Sequence, residues 1–349
     1  MPRAISKRQL GQSESRVSEI GVGGAQWGNL YHPMQDHQAI DILQFLYAQG
    51  VRLFDTAPYY GFGLSEQRVG QFIQQLANND DLFLSTKAGR LLRHVDDFQA
   101  PPVRDGFYSD LPYEVQFDYS YCGIMQSFED SSKRLAGADI DLLLIHDIGE
   151  LTHGNANTGY LQQLKSGGFK ALQELKQAGD IKAFGLGVNE VEVCLDILDL
   201  TDLDCLLLAG RYTLLEQPAL AQLLPRCLQQ GVGVIAGGIY NSGILASGAK
   251  GVDAYYNYAQ APSAVIQRVQ LLERECAEFD VSLASAAMHF VLAHPAVCAV
   301  APGIATLSQA QQTLDNYHQP ISADFWINLK NKGLIDDGAP IPNKMVTSL

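Results

Sequence analysis

The chain has 349 residues, 47% hydrophobic and 18% charged, with a formal net charge of −14. Such a composition fits a well-buried globule, and its acidic field, with no basic stripe in the sequence, excludes a duplex or a tRNA as partner. The longest apolar runs fall short of a membrane span, MPRAISKRQLGQSES lacks the apolar core of a signal peptide, and the six dispersed cysteines form no CxxC pair, so we expect a cytoplasmic protein without disulfides or a cysteine-zinc site.

The first strand is read in SEIGVGGAQWG, closing in Gly23-Gly24-Ala25, where glycine lets a ligand approach the backbone closely. Helical periodicity runs from Asp36 to Gln49 and stops at Gly50. Next comes VRLFDTAPYYGFG, an apolar run that ends on Asp55 and opens into a Gly- and Tyr-rich loop carrying Tyr60. A helix over Leu64–Ala77 leads to LFLSTKAG and Lys87. From Ala88 to Tyr121 the alternation breaks, in a stretch rich in Pro, Asp and Tyr. A loop of that length in a compact domain is usually functional, and its aromatics argue against a disordered insertion. Alternation resumes with helix Ile124–Ala136, strand IDLLLIHD ending in His146, helix Gly168–Ala178, strand KAFGLG and helix Glu190–Leu200. CLLLAG, helix Pro218–Gln230, GVGVIAGG and the connector GIYNSGILASG follow. Two helical segments, Ala264–Phe279 and Ser285–Ala293, then precede AVCAVAPG, a helix over Ser308–Tyr317 and a last helix from near Asp324.

Eight strand-like runs separated by helices, with no second composition regime, predict one (β/α)8 TIM barrel domain over residues 1–349, with a substrate loop at about 88–121. A doubly wound sheet is the alternative, and no GxGxxG follows the first strand to support it. In a parallel barrel the strands are buried on both faces, so ionisable residues at their C-terminal ends mark the chemistry. Asp55, Tyr60, Lys87 and His146 arrive from three successive strand-to-loop junctions. A cation beside a phenol favours the phenolate. Lys87 would therefore lower the pKa of Tyr60, with Asp55 holding Lys87 charged. A bare structural Asp–Lys pair would not require Tyr60 and His146 beside it. Asp55 with Glu66 can also be read as glycosidase carboxylates, but Glu66 at a helix start is explained by the helix dipole. His146, Asp147 and His153 lack the converging further ligand that a metal needs. His289 and His294 read as structural.

FDTAPYYG, STKAG and LLLIHD resemble the aldo-keto reductases, whose catalytic tetrad of Asp, Tyr, Lys and His matches Asp55, Tyr60, Lys87 and His146. FDYSYCGIMQSFEDS, LLLAGRYTLLEQ and GGIYNSGILA narrow the likeness to the aldose 1-dehydrogenase group of that family. The resemblance implies a nicotinamide cofactor held by Gly24, Ala25, Asp55, Asn189, Gly238, Tyr240, Asn241, Ser242, Gly303, Gln309 and Gln312, and no metal. Ala209 stands where many members carry a Gln, and Gly237 where an aromatic often stacks on the nicotinamide. NAD is expected over NADP, because no Lys or Arg occurs between Arg274 and Lys330, where family members grip the 2′-phosphate. Lys250 and Arg268 are the basic residues that could still reach the adenosine end. The implied activity is oxidation of the anomeric carbon of an aldose to a lactone, with pyridoxal 4-dehydrogenase chemistry as an alternative. A cofactor-sensing subunit like the potassium-channel β subunits is the reading from another class. Beyond a small sugar or aldehyde, a monomer or homodimer is expected.

Overall fold

The computed structural model describes residues 4–342 apart from 80, 100, 250–253 and 258. Eight strands form one sheet: β1 (Gly21–Gly23), β2 (Leu53–Asp55), β3 (Phe83–Ala88), β4 (Leu142–His146), β5 (Ala183–Val188), β6 (Cys205–Ala209), β7 (Gly233–Gly237) and β8 (Val297–Ala301). They lie side by side in sequence order, every pairing is parallel, and bridges from Ile20 to Val300 and from Gly23 to Gly303 close β8 onto β1. That closure makes the sheet the expected (β/α)8 barrel and rules out the open doubly wound alternative.

The strands are wholly buried over β3, β4 and β5, as apolar runs covered on both faces must be. Their inward residues (Leu53, Phe83, Leu142, Leu144, Ala183, Cys205, Leu207, Ile235 and Ala299 among them) pack into one interior cluster. Because side chains alternate along a strand, the last inward position falls on Asp55 above Leu53, on Lys87 above Ser85 and on His146 above Leu144. The top layer of the barrel is thus acidic, basic and aromatic on β2–β4. Across the mouth it is small, with Gly187, Ala209, Gly237 and Ala301 on β5–β8.

The N-terminal arm holds an antiparallel hairpin, Lys7–Gln9 with Arg16–Ser18, that the sequence pattern left unassigned. Its Leu10 and Val17 belong to the interior cluster and plug the lower end of the barrel. The predicted helix over Pro218–Gln230 starts later, at Leu223. The turn before it is held instead by the Thr213 hydroxyl, which accepts the backbone N–H groups of Leu215 and Glu216 at 3.2 and 3.1 Å. The long 88–121 segment contains a hairpin, Arg90–His94 paired with Tyr113–Phe117. Arg104 gathers the carbonyls of Tyr113, Ser109 and Leu111 while its guanidinium lies 3.6 Å from the Phe62 ring centroid. One half-buried cation thereby ties the tip of that segment to the loop after β2. Among the described residues no helix is long and apolar enough to cross a membrane.

Candidate active site

Tyr60 is placed by backbone on backbone contact. The loops after β1 and β2 meet at Gly28 and Gly61, where a Cβ on Gly28 would lie 2.4 Å from the Tyr60 carbonyl carbon. Gly61, at φ 66°, has no room for a side chain either, with Gly28 O 2.4 Å from its Cβ position. Arg68 fastens the same loops by donating to Trp27 O at 2.7 Å and to Asn29 Oδ1 at 2.8 Å.

Lys87 is fully buried and donates to Asp55 Oδ2 at 2.7 Å and to Thr56 O at 2.8 Å. Ser85, one inward position below it, donates to the other carboxylate oxygen at 2.8 Å. Gly187 leaves the space that this lysine occupies, since a Cβ there would sit 3.2 Å from Lys87 Cε. The ammonium lies 4.6 Å from the centroid of the Tyr60 ring, and that ring stands perpendicular to His146 at 5.9 Å. The structure therefore brings all four residues singled out in the sequence into one cluster at the barrel mouth.

The electrostatics correct one expectation. Burial pushes the Tyr60 phenol up to about 12, and the opposing pull of Lys87 is too weak to bring it below its ordinary value. Burial works against the charge on Lys87, but Asp55 and Tyr60 together hold its ammonium above the usual range. Burial, with Arg90 and Lys87 adding like charge, holds the His146 imidazole well below its ordinary value, so it is neutral. Its Nδ1 is buried without a partner, which suits the tautomer protonated on Nε2, where the bare nitrogen is an acceptor and not a donor. The hydroxyl of Tyr119 donates to the His146 carbonyl at 2.7 Å and meets His153 Nε2 at 2.9 Å. His153 is thus part of an aromatic cluster with Phe117, Tyr119 and Tyr160.

Several neighbours of the cluster were not assigned to this site in the sequence. Arg90 and Asp147 form a partly buried ion pair beside His146. Tyr59 and Phe107 pack on the cluster, with Phe107 stacked on Tyr60 at 6.3 Å and Tyr59 edge-on to His146 at 6.2 Å. Ser85 was missed as well, although its place on Lys87's inward face two residues away was a signal that could have found it. Glu66 is more than a helix-dipole charge. It is buried, accepts from the Thr86 hydroxyl at 2.6 Å and pairs with Arg134, tying the Leu64–Gln74 helix to the Tyr121–Arg134 helix. The glycosidase reading loses its second carboxylate accordingly.

A groove of about 880 Å³ leads from Asp55 and Tyr60 across the glycine-rich end of β7 to the start of the Leu307–His318 helix. Ala25, Gly238, Tyr240, Ser242, Gly303, Gln309 and Gln312, all read as cofactor contacts, line it. Gly24 packs its backbone against Asp55 O and the Ser65 side chain just behind. Asn241 and Asn189, also read as cofactor contacts, are not among the residues that line it. The Asn241 amide donates to Glu216 at 2.9 Å, in a loop latch that Tyr256 joins at 2.7 Å, and so turns away from the groove. Asn189 sits half-buried beyond β5 and outside the groove lining. Gln309 accepts the Ala305 N–H at 2.7 Å, so it is partly engaged in starting its own helix. Lys250 lies outside the described residues, and Arg268 bonds to Leu334 O at 2.8 Å. A larger cavity, about 1060 Å³, opens at the opposite end of the barrel. Its Lys176 and Lys182 are committed to Asp204 and Asp141, and no strand C-terminus faces it, so the groove at the mouth is the site.

A dinucleotide fits the groove. On its floor the paired residues Ala209 and Gly237 carry nothing larger than a methyl group, and a Cβ on Gly237 would press on Leu207 at 3.2 Å.

The aldo/keto reductase family model matches residues 19–333. The chain is 40% identical over 341 residues to pyridoxal 4-dehydrogenase of Microbacterium luteolum, covering 95% of this chain and 99% of that protein. It is 34% identical over 321 residues to D-threo-aldose 1-dehydrogenase of a Pseudomonas species (91% and 95% covered), and 26% identical over 314 residues to L-galactose dehydrogenase of Arabidopsis thaliana (89% and 87%). Among solved structures, an aldo-keto reductase of Bacillus halodurans in its holo form superposes with a TM-score of 0.73 at 23% identity, over 97% of this chain and 99% of that one. A glycerol dehydrogenase of Gluconobacter oxydans gives 0.70 at 20% identity, over 98% and 99%.

Proposed function

Because the chain belongs to the aldo/keto reductase family, and is an NAD(P)-dependent oxidoreductase, we propose that it oxidises a cyclic hemiacetal, the anomeric carbon of an aldose, to a lactone. The observation that carries this reading is the buried Asp55–Lys87–Tyr60–His146 cluster at one end of a dinucleotide-sized groove. When bound, the nicotinamide cofactor accepts the hydride that leaves the anomeric carbon. The residues handle the proton. Tyr60 takes it from the anomeric hydroxyl as the C–O bond becomes C=O. Lys87 stabilises the phenolate that precedes this transfer, and Asp55 keeps Lys87 charged. Neutral His146 donates from Nε2 to the reacting oxygen and fixes its direction, a hydrogen bond that strengthens as charge collects there.

A second reading has its own support: the 40% identity to pyridoxal 4-dehydrogenase. Pyridoxal closes into a hemiacetal, so the same residues would oxidise it in the same way. An NAD⁺ reduction screen over L-fucose, D-arabinose, L-galactose, D-galactose and pyridoxal separates the two. The sugar reading predicts turnover of at least one aldose with lactone as product. NAD(H) binding without turnover of any of the five would point to a cofactor-sensing protein and overturn it.

We further propose NAD over NADP. Gln309 and Gln312 occupy the adenosine end of the groove with Asp315, and among the described residues no Lys or Arg lines it. A charge-assisted hydrogen bond is worth about 1.5–3 kcal/mol, so kcat/KM should favour NAD⁺ by at least about tenfold. Gln309→Arg should narrow that ratio; parity between the two cofactors in the parent protein would contradict it.

A further inference from the structure

Asp147 follows His146 directly and has no part in the proton transfer described above. Its backbone is left-handed, at φ 45°, and its N–H donates to Gly187 O at 2.9 Å. That turn brings its Oδ2 to 3.5 Å from His146 Nε2. The same oxygen is held by Arg90, a residue only 7% exposed whose guanidinium lies 4.2 Å from the Tyr59 ring centroid and 5.2 Å from that of Phe117. Arg90 is thereby fixed in position by two aromatic faces, and it fixes the carboxylate. Oδ1 has no hydrogen-bond partner among the described residues, and the side chain is 20% exposed. Removing a carboxylate from water is costly unless its oxygens are satisfied, and here one of the two has no partner among the described residues.

We propose that Asp147 determines specificity, its Oδ1 accepting a hydrogen bond from a neutral hydroxyl on the carbon next to the reacting one. The inference rests on the hemiacetal reading above, in which His146 Nε2 holds the reacting oxygen. Oxygens on neighbouring carbons of a sugar ring in a gauche relation lie about one hydrogen-bond length apart. A substrate oxygen seated on Nε2 therefore places its neighbour within reach of a carboxylate whose near oxygen is 3.5 Å from that nitrogen. An anionic acceptor selects a donor that keeps its proton. The 2-hydroxyl of an aldose meets that condition. Pyridoxal carries no hydroxyl on the ring carbon next to its reacting one, and its 3-oxygen, one carbon farther on, belongs to an acidic phenol that is repelled as the phenolate. The substrate class assigned is accordingly an aldose with a free 2-hydroxyl.

The test compares kcat/KM for D-arabinose and for 2-deoxy-D-ribose, which is D-arabinose without its 2-hydroxyl, in the parent protein and in Asp147→Asn. The parent should prefer D-arabinose by about tenfold or more, the range expected of a hydrogen bond to a charged group. Asp147→Asn should lose a similar factor on D-arabinose while changing little on 2-deoxy-D-ribose, so that the preference collapses. Equal efficiency of the parent on both sugars overturns the proposal, and that ratio needs no variant should Asp147→Asn fail to fold. An equal loss on both sugars in Asp147→Asn also overturns it, because the residue would then only aim His146. If pyridoxal is oxidised and neither pentose is, the sugar reading itself fails and this role goes with it.

Discussion

Tyr60 stands between two opposed influences, burial that keeps its proton on and Lys87 that draws it off, and burial wins in the free protein. Oxidation needs the phenolate, and kcat/KM reports groups of the free enzyme. The kcat/KM for sugar oxidation should therefore keep rising as pH increases beyond 9, toward a phenol at about 12, without a plateau near neutrality. Lys87→Met removes the only strong downward pull and should depress activity across that whole range; an alkaline plateau at the parent's level in this variant would contradict the assignment. Tyr60→Phe should lose about 10²–10⁴ in turnover while NADH binding, followed by fluorescence, stays near the parent value. The places of Tyr60 and Lys87 were legible because each ends or follows an apolar strand. Arg90 and Asp147 were not, since a pair 57 positions apart leaves no local pattern.

At the scale of elements, the catalytic half of the barrel mouth depends on smallness in the other half. Gly187 on β5 gives way to Lys87 from β3, whose far end is pinned by Asp55 and Thr56 and cannot retreat freely. Gly187→Ala should cost about tenfold in turnover, since modest misplacement of a reacting group is expensive, with little change in melting temperature. Unaltered kinetics would show that Lys87 tolerates the methyl group. Glu66 makes the opposite kind of prediction. Glu66→Gln leaves Arg134 only 16% exposed and without its anion, so folding stability should fall by about 3 kcal/mol, read by denaturant unfolding, with kcat in the surviving protein unchanged. The strands and most helices were legible from apolar runs and caps. The Arg90–His94 hairpin was not, because the excursion before its partner strand is far longer than the loops that mark a hairpin in sequence. Nor was the N-terminal hairpin, whose strands are only three residues each.

For the whole molecule, buried histidines couple folding to pH. His294 is 3% exposed, and burial lowers its pKa from 6.5 to about 4. Between those values the unfolded chain binds the proton and the folded one does not, so stability is complete above about pH 6.5 and declines as pH falls toward 4. The loss from this one residue is on the order of 3 kcal/mol. His294→Asn should flatten the acid side of the stability curve, whatever its effect at neutral pH; an unchanged slope between pH 6.5 and 4 would show that His294 is not the group responsible. Barrel closure was legible as a count of strand-like runs. What the sequence left open is which surfaces the loops turn toward one another, as the fate of Asn241, drawn to Glu216 and away from the groove, makes plain.

The central claim is that Tyr60 receives a proton from the anomeric hydroxyl as a hydride leaves the same carbon for the nicotinamide. The most direct measurement uses an aldose found active in the screen and deuterated at C1, with NAD⁺, followed by mass analysis of both products. The account predicts one deuterium on each reduced nicotinamide and one lactone per cofactor reduced, with the rate of both falling by about 10²–10⁴ in Tyr60→Phe. Reduced cofactor without deuterium, or label transfer undiminished in Tyr60→Phe, would contradict it.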